Sequence, residues 1–280
     1  VHPQDDNVIK PRDAVAKKHR NSHNIQDCRF KGAVFDFDGT ISLLREQWPG
    51  VMARMMIEMI CGEAELTSQI QQEVGQYVEA SAGFSTITQM RYLVKLVKKY
   101  GQIPSNQILT AEAYKEIYDQ RLLSVVNDKL KMLEDGRLAR HQLIVSGVVE
   151  FLEFLVSRDI VLYIASTTDL RFLEREANAL KVAHYFRAIY GPDATLPEYT
   201  KEWLVGKVIE WHALAPDQLL VVGDGQVEIS VARKYGGFAL GVASTEEPTG
   251  SVNKEKREML IKAGADAIVP DFSNVSEIFG

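Results

Sequence analysis

From residue 146 onward, short apolar runs alternate with stretches of helical periodicity, and this alternation constrains the fold more than any other feature. Helical patterns over 146–157, 169–180, 201–213 and 226–235 each precede an apolar run: Ile160–Ala165, Ala188–Tyr190, Leu219–Val222 and Phe238–Val242. A further run, Ala267–Val269, reads as a last strand. Strands that alternate with helices build right-handed βαβ units and a parallel sheet. One more strand, Ala33-Val34-Phe35, lies far upstream. Between it and the alternating region, residues 47–135 read as nearly pure helix. Apolar residues recur there at three and four: Val51, Met55, Met59; Leu66, Ile70, Val74, Val78; Met90, Leu93, Val97. The breaks fall near Gly62, Ala82-Gly83 and Gly101–Pro104. The pattern predicts an α/β fold, a Rossmann-like parallel sheet core with an α-helical cap inserted after the first strand. Residues 30–44 and 137–280 are assigned to the core and 45–136 to the cap. Residues 1–29, polar and carrying the basic run 17–20, are read as an extension.

A chain of 280 residues is long enough for one such core with a sizeable insert. Its net charge of -6 argues against nucleic acid or an anionic membrane as the main partner. No apolar run reaches the ~18 residues of a membrane span. The two cysteines, Cys28 and Cys61, make no CxxC pair and no disulfide framework, which points to a reducing cytoplasm.

In open α/β sheets, ligands bind beyond the carboxyl ends of the strands. The first strand runs into Asp36-Phe37-Asp38-Gly39-Thr40, the second into Ser166-Thr167-Thr168-Asp169, and the fourth into Gly223-Asp224-Gly225-Gln226-Val227-Glu228. These groups are expected on one rim. Several carboxylates in one crevice repel one another. A hard divalent cation relieves that repulsion, and oxygen-only ligands suit magnesium. Ser166 has a rival role as a helix N-cap, which Thr167 or Thr168 could fill instead. Lys201, at the start of a predicted helix, competes with Lys207 as the lysine nearest a bound anion.

The DFDGT that follows a buried strand resembles the first motif of the haloacid dehalogenase-like superfamily. VLYIAS with Ser166 resembles its second motif, Lys201 its third, and Asp224 with Glu228 its fourth. The resemblance spans about 30–280, and the helical insert is similar to the caps of the phosphoglycolate phosphatase and β-phosphoglucomutase branch. It implies a small-molecule phosphatase with Asp36 as covalent nucleophile and Asp38 as general acid and base. It further implies Mg2+ held by Asp36, the Asp38 carbonyl, Asp224 and Glu228. Gly39, Thr40, Ser166, Thr167 and Lys201 would contact the phosphoryl group. Arg45, Trp48, Thr86 and Gln89 of the cap are candidates for the rest of the substrate. Thr86 and Gln89 lie three apart and are expected to share a helix face. Asp38 separates the chain from dehalogenases and phosphonoacetaldehyde hydrolases, which lack that acid. A sugar-phosphate mutase and a non-catalytic binding module remain the alternatives.

Overall fold

The computed structural model describes residues 29–82, 84–245 and 251–274. The 1–29 extension, apart from Arg29, and Gly83 of the expected cap turn lie outside the described residues. Among the described residues six parallel strands form one sheet: β1 Gly32–Phe35, β2 Val161–Ala165, β3 Ala188–Tyr190, β4 Leu219–Gly223, β5 Phe238–Val242 and β6 Ala267–Val269. Their order is β3-β2-β1-β4-β5-β6, so β1 is central, with Phe35 in register with Ile164 on one side and Val222 on the other. The chain leaves β1 toward one half of the sheet and later builds the other half from β4. This reversal opens a crevice at the carboxyl ends of β1 and β4.

The strands are apolar throughout because both sheet faces are covered. Ala33, Phe35, Leu162, Ile164, Leu220 and Val222 face one apolar cluster, and Val34, Tyr163, Ala165, Leu219 and Val221 face another. The first is closed by helices α5 (Val148–Val156) and α6 (Leu170–Ala179). The second is closed by α7 (Lys201–His212), α8 (Gln226–Tyr235) and α9 (Lys254–Ala263). The helix α9 has no counterpart among the expected elements. Its sequence KEKREMLIKA buries only Leu260 fully, too little apolar signal to register.

The stretch between β1 and β2 folds into α1 (Trp48–Cys61), α2 (Ser68–Ala80), α3 (Thr86–Tyr100) and α4 (Ala111–Glu134). Side-chain caps start two of them: Thr67 accepts from the Ile70 amide at 3.3 Å, and Thr110 from the Ala113 amide at 3.2 Å. These helices enclose their own core, in which Met52, Met55, Met56, Ile70, Val74, Met90 and Leu93 are fully buried. Helix α4 ends at Glu134, but packing changes hands earlier along it. Leu122 belongs to the helical core, whereas Val126 and Leu130 of the same helix pack into the sheet's core. The two chain crossings between these parts are paired with each other: Leu43 N donates to Leu143 O, and Val145 N to Ile41 O. Among the described residues no helix is long and apolar enough to cross a membrane.

Candidate active site

The site is built on the loop that leaves β1. The Asp36 amide extends the ladder by donating to Val222 O at 2.8 Å. Phe37 then turns into the sheet's core, completely buried, and its carbonyl accepts from the amides of Ile41 and Ser42. Asp36 and Asp38, on either side of it, meet polar partners instead: Lys201 and Thr168. Gly39 adopts φ +76°, and a Cβ there would lie 2.1 Å from Asp224 Oδ2. Only glycine permits both the turn and the approach of Asp224. Ser244, beyond β5, donates to Gly39 O at 2.6 Å and fixes the loop from the far side.

Around this loop the structure gathers Lys201 and Lys256 with the carboxylates of Asp36, Asp224 and Glu228. Lys201 opens α7, whose N-cap Thr200 accepts from the Trp203 amide. Its ammonium donates to Asp36 Oδ1 at 2.6 Å and also to Glu228 Oε1. Burial works against the Lys201 charge, but Asp36 and Glu228 outweigh it and hold the lysine charged above its usual range. Burial likewise pushes the Asp36 carboxyl up, with Lys201 pulling against it. Lys207, by contrast, is on the outer face and pairs with Glu210. Asp224, directly after β4, pairs with Lys256 of α9 at 2.8 Å.

Asp38 sits in a second group. Its Oδ2 accepts from Thr168 Oγ1 at 2.8 Å, whereas its Oδ1 is buried without a hydrogen bond. Burial raises the Asp38 pKa, and Arg45 and Thr168 only partly offset this. Ser166 is buried; its Oγ accepts from the Thr168 amide at 3.0 Å, and its carbonyl from Tyr199 OH. Ser166 Oγ thus serves the local turn as an acceptor. Thr167 stands beside it, half-buried. Thr40 Oγ1 is buried and unpaired. The Gly39 amide, expected to face a phosphoryl group, donates to Ser42 O at 2.8 Å and is spent inside the turn.

The helical part matches expectation less well. Gln89 is buried, and its amide nitrogen donates to Ser81 O and Oγ at 3.2 and 3.0 Å. It ties α3 to the end of α2 and shares no open polar face with the half-buried Thr86. Trp48 packs against the core of α1–α4. Arg45 does reach the site, yet its Nε and Nη2 are committed to Glu176 at 2.9 and 2.5 Å. Glu176, Lys256, Ser244 and Tyr199 were not expected here. Glu176 left a legible trace: it occupies a core position of α6, in step with Leu173, Ala177 and Leu180. Lys256 left none, being one of several charged residues on an apolar-poor helix.

Among the described residues no three His, Cys, Asp or Glu side chains group tightly enough to enclose a metal ion. The donor set is nonetheless suited to one. Asp36, Asp224 and Glu228 interact electrostatically, offer only oxygen, and include the buried, unpaired Glu228 Oε2. That chemistry fits a hard divalent cation. A cavity of about 630 Å³, lined by Arg29, Lys31, Arg158 and His212 among others, lies at the amino ends of β1 and β2 and contains none of these groups.

A profile of the haloacid dehalogenase-like hydrolases matches residues 30–236. A 5'-nucleotidase from Pseudomonas aeruginosa is 30% identical over 96 residues, which is 34% of this chain and 43% of that protein. The chain therefore matches less than half the length of that curated relative. Among solved structures, a predicted phosphoglycolate phosphatase from Haemophilus somnus aligns with 90% of this chain and 98% of its own, at TM-score 0.60 and 18% identity. A haloacid dehalogenase-like hydrolase from Streptococcus pneumoniae aligns with 90% and 99%, at TM-score 0.56 and 19% identity. A β-phosphoglucomutase from Clostridium difficile aligns with 90% and 97%, at TM-score 0.58 and 14% identity. At these identities the structural matches speak for the fold.

Proposed function

The chain belongs to the haloacid dehalogenase-like hydrolase family, and on that premise we propose that it hydrolyses a small-molecule phosphate monoester through an aspartyl-phosphate on Asp36. The observation that carries this reading is the Asp36–Lys201 contact at 2.6 Å, at the carboxyl end of the central strand, with Asp38 two residues on and interacting electrostatically with the same lysine.

Asp36 attacks phosphorus and forms the covalent phosphoryl-enzyme, which splits one displacement into two. Lys201 holds Asp36 in place and offsets the charge that gathers on the transferring group. Asp38 gives its proton to the departing ester oxygen, then takes one from the water that attacks the phosphoryl-enzyme. Ser166 and Thr40 donate hydroxyl hydrogen bonds to the phosphoryl oxygens, and Thr167 lines the same turn. Asp36, the Asp38 carbonyl, Asp224 and Glu228 would hold Mg2+, which when bound supplies positive charge to the phosphoryl oxygens and orients them. The helices between 45 and 136 act as a cap that screens the site from water. The two cysteines and the net charge of -6 fit a cytoplasmic enzyme acting on a free metabolite.

The test is turnover of p-nitrophenyl phosphate with magnesium, with none in EDTA. Asp36→Asn should fold and lose turnover by several orders of magnitude, because an amide of nearly equal size is a poor nucleophile. Retention of a tenth of the wild-type rate would refute the covalent role. A panel of nucleoside monophosphates and sugar phosphates, followed for both free phosphate and isomerised product, separates a nucleotidase, a sugar phosphatase and a mutase.

A further inference from the structure

A buried carboxylate on α6 stands behind the site without touching the nucleophile. Glu176 is 1% exposed on a helix face otherwise given to Leu173 and Ala177. Its two oxygens take Arg45 Nε and Nη2, and Arg45 is itself only 9% exposed. Sealing a charged pair in the core is costly compared with an apolar pair of the same volume. Its place in the site suggests what it does. Arg45 Nε ends 3.9 Å from Asp38 Oδ1, beyond hydrogen-bond reach, and that oxygen has no other partner. The opposite oxygen, Oδ2, is held by Thr168. Asp38 is therefore hydrogen-bonded through one oxygen only, and its other oxygen is buried and unpaired beside a guanidinium whose nearest donors are already committed.

Building on the phosphatase reading, we propose that Glu176 is a positioning residue: by engaging Arg45 from behind, it keeps the guanidinium from closing onto Asp38 and leaves the Asp38 carboxyl free to turn toward the leaving-group oxygen. Glu176 accepts the hydrogen bonds of Arg45 Nε and Nη2, so its loss releases both donors beside Asp38. A carboxyl held through both oxygens, by Thr168 and by an arginine donor, is badly placed to turn and pass a proton to an ester oxygen. In the transfer step, the P–O bond to the leaving group breaks as Asp36 bonds to phosphorus. The Asp38 proton moves to the departing oxygen, giving the free alcohol.

The experiment uses esters that differ only in how much they need that proton. p-Nitrophenolate departs with little help, whereas phenolate, with a conjugate acid of pKa about 10 like that of tyrosine, needs it. Neither ester carries a remote polar group for Arg45 to bind. In Glu176→Gln, kcat on p-nitrophenyl phosphate should fall by less than about threefold. On phenyl phosphate it should fall by roughly 30-fold or more, within the range general-acid catalysis is worth. The double variant Arg45→Met/Glu176→Leu replaces the pair with apolar side chains and removes the competing guanidinium. It should recover most of the phenyl phosphate rate lost in Glu176→Leu alone. Equal losses on the two esters would overturn the positioning role, as would a double variant no better on phenyl phosphate than Glu176→Leu. The phosphatase reading is judged separately. Wild type must turn over both esters, and Asp38→Asn must lose phenyl phosphate more severely than p-nitrophenyl phosphate.

Discussion

At the scale of single residues, the tightest constraint is Gly39. Its positive φ and the 2.1 Å approach of Asp224 Oδ2 to a hypothetical Cβ act together. Gly39→Ala should cost about 1–2 kcal/mol from left-handed backbone strain alone. It should also push Asp224 aside, lowering kcat by roughly 10²-fold, the scale of a 1 Å displacement at a reacting centre. Thermal melts paired with steady-state rates check both; a variant with wild-type kcat would show that Asp224 need not lie against the loop. Lys256 supports a second prediction. Its ammonium occupies Asp224 Oδ2 at 2.8 Å, so it competes for that oxygen with any cation. Lys256→Met should shift the magnesium activation curve to lower concentration. A shift to higher concentration would mean that Lys256 assists rather than competes.

At the scale of elements, α1 to α4 hold together through apolar contacts of their own. Met55 of α1 is completely buried in that cluster. Met55→Ala should cost about 2–5 kcal/mol, a large share of the roughly 5–15 kcal/mol that keeps such a fold intact. Urea denaturation followed by circular dichroism measures it, and a loss under ~1 kcal/mol would mean that the helices repack around the gap. The elements that were legible in the sequence are those with strong periodicity. Helix α8 spans Gln226–Tyr235, the limits its apolar spacing predicts, and all six strands lie where apolar runs end in polar loops. Helix α9 was not legible, because one buried leucine among charged residues has no period to detect.

At the scale of the whole molecule, the helical part and the sheet are joined by more than the chain crossings. Helix α4 contributes to both cores. Lys115 on α4 also reaches Asp169, at the start of α6, at 2.9 Å while pairing with Asp119 at 2.7 Å. All three side chains are about one-quarter exposed, so water screens the contact. Lys115→Met should therefore change unfolding free energy by less than ~1 kcal/mol. A loss above ~2 kcal/mol in urea titration would identify this contact as a main brace between the two parts.

The sequence by itself determined the parallel sheet, the helical insertion and the strand-end location of Asp36, Asp38, Ser166 and Asp224. Periodicity and loop chemistry are local properties, readable from neighbours in the chain. What it could not determine was how far each long side chain would reach. Arg45 was placed near the site by the sequence, but its commitment to Glu176, 131 residues away, depends on how α6 packs. The same holds for Lys256 on Asp224 and for Gln89 turned inward onto Ser81. Charged and amide side chains choose partners by distance and burial after the core has closed, so only the tertiary structure decided which of them face a ligand and which hold the walls.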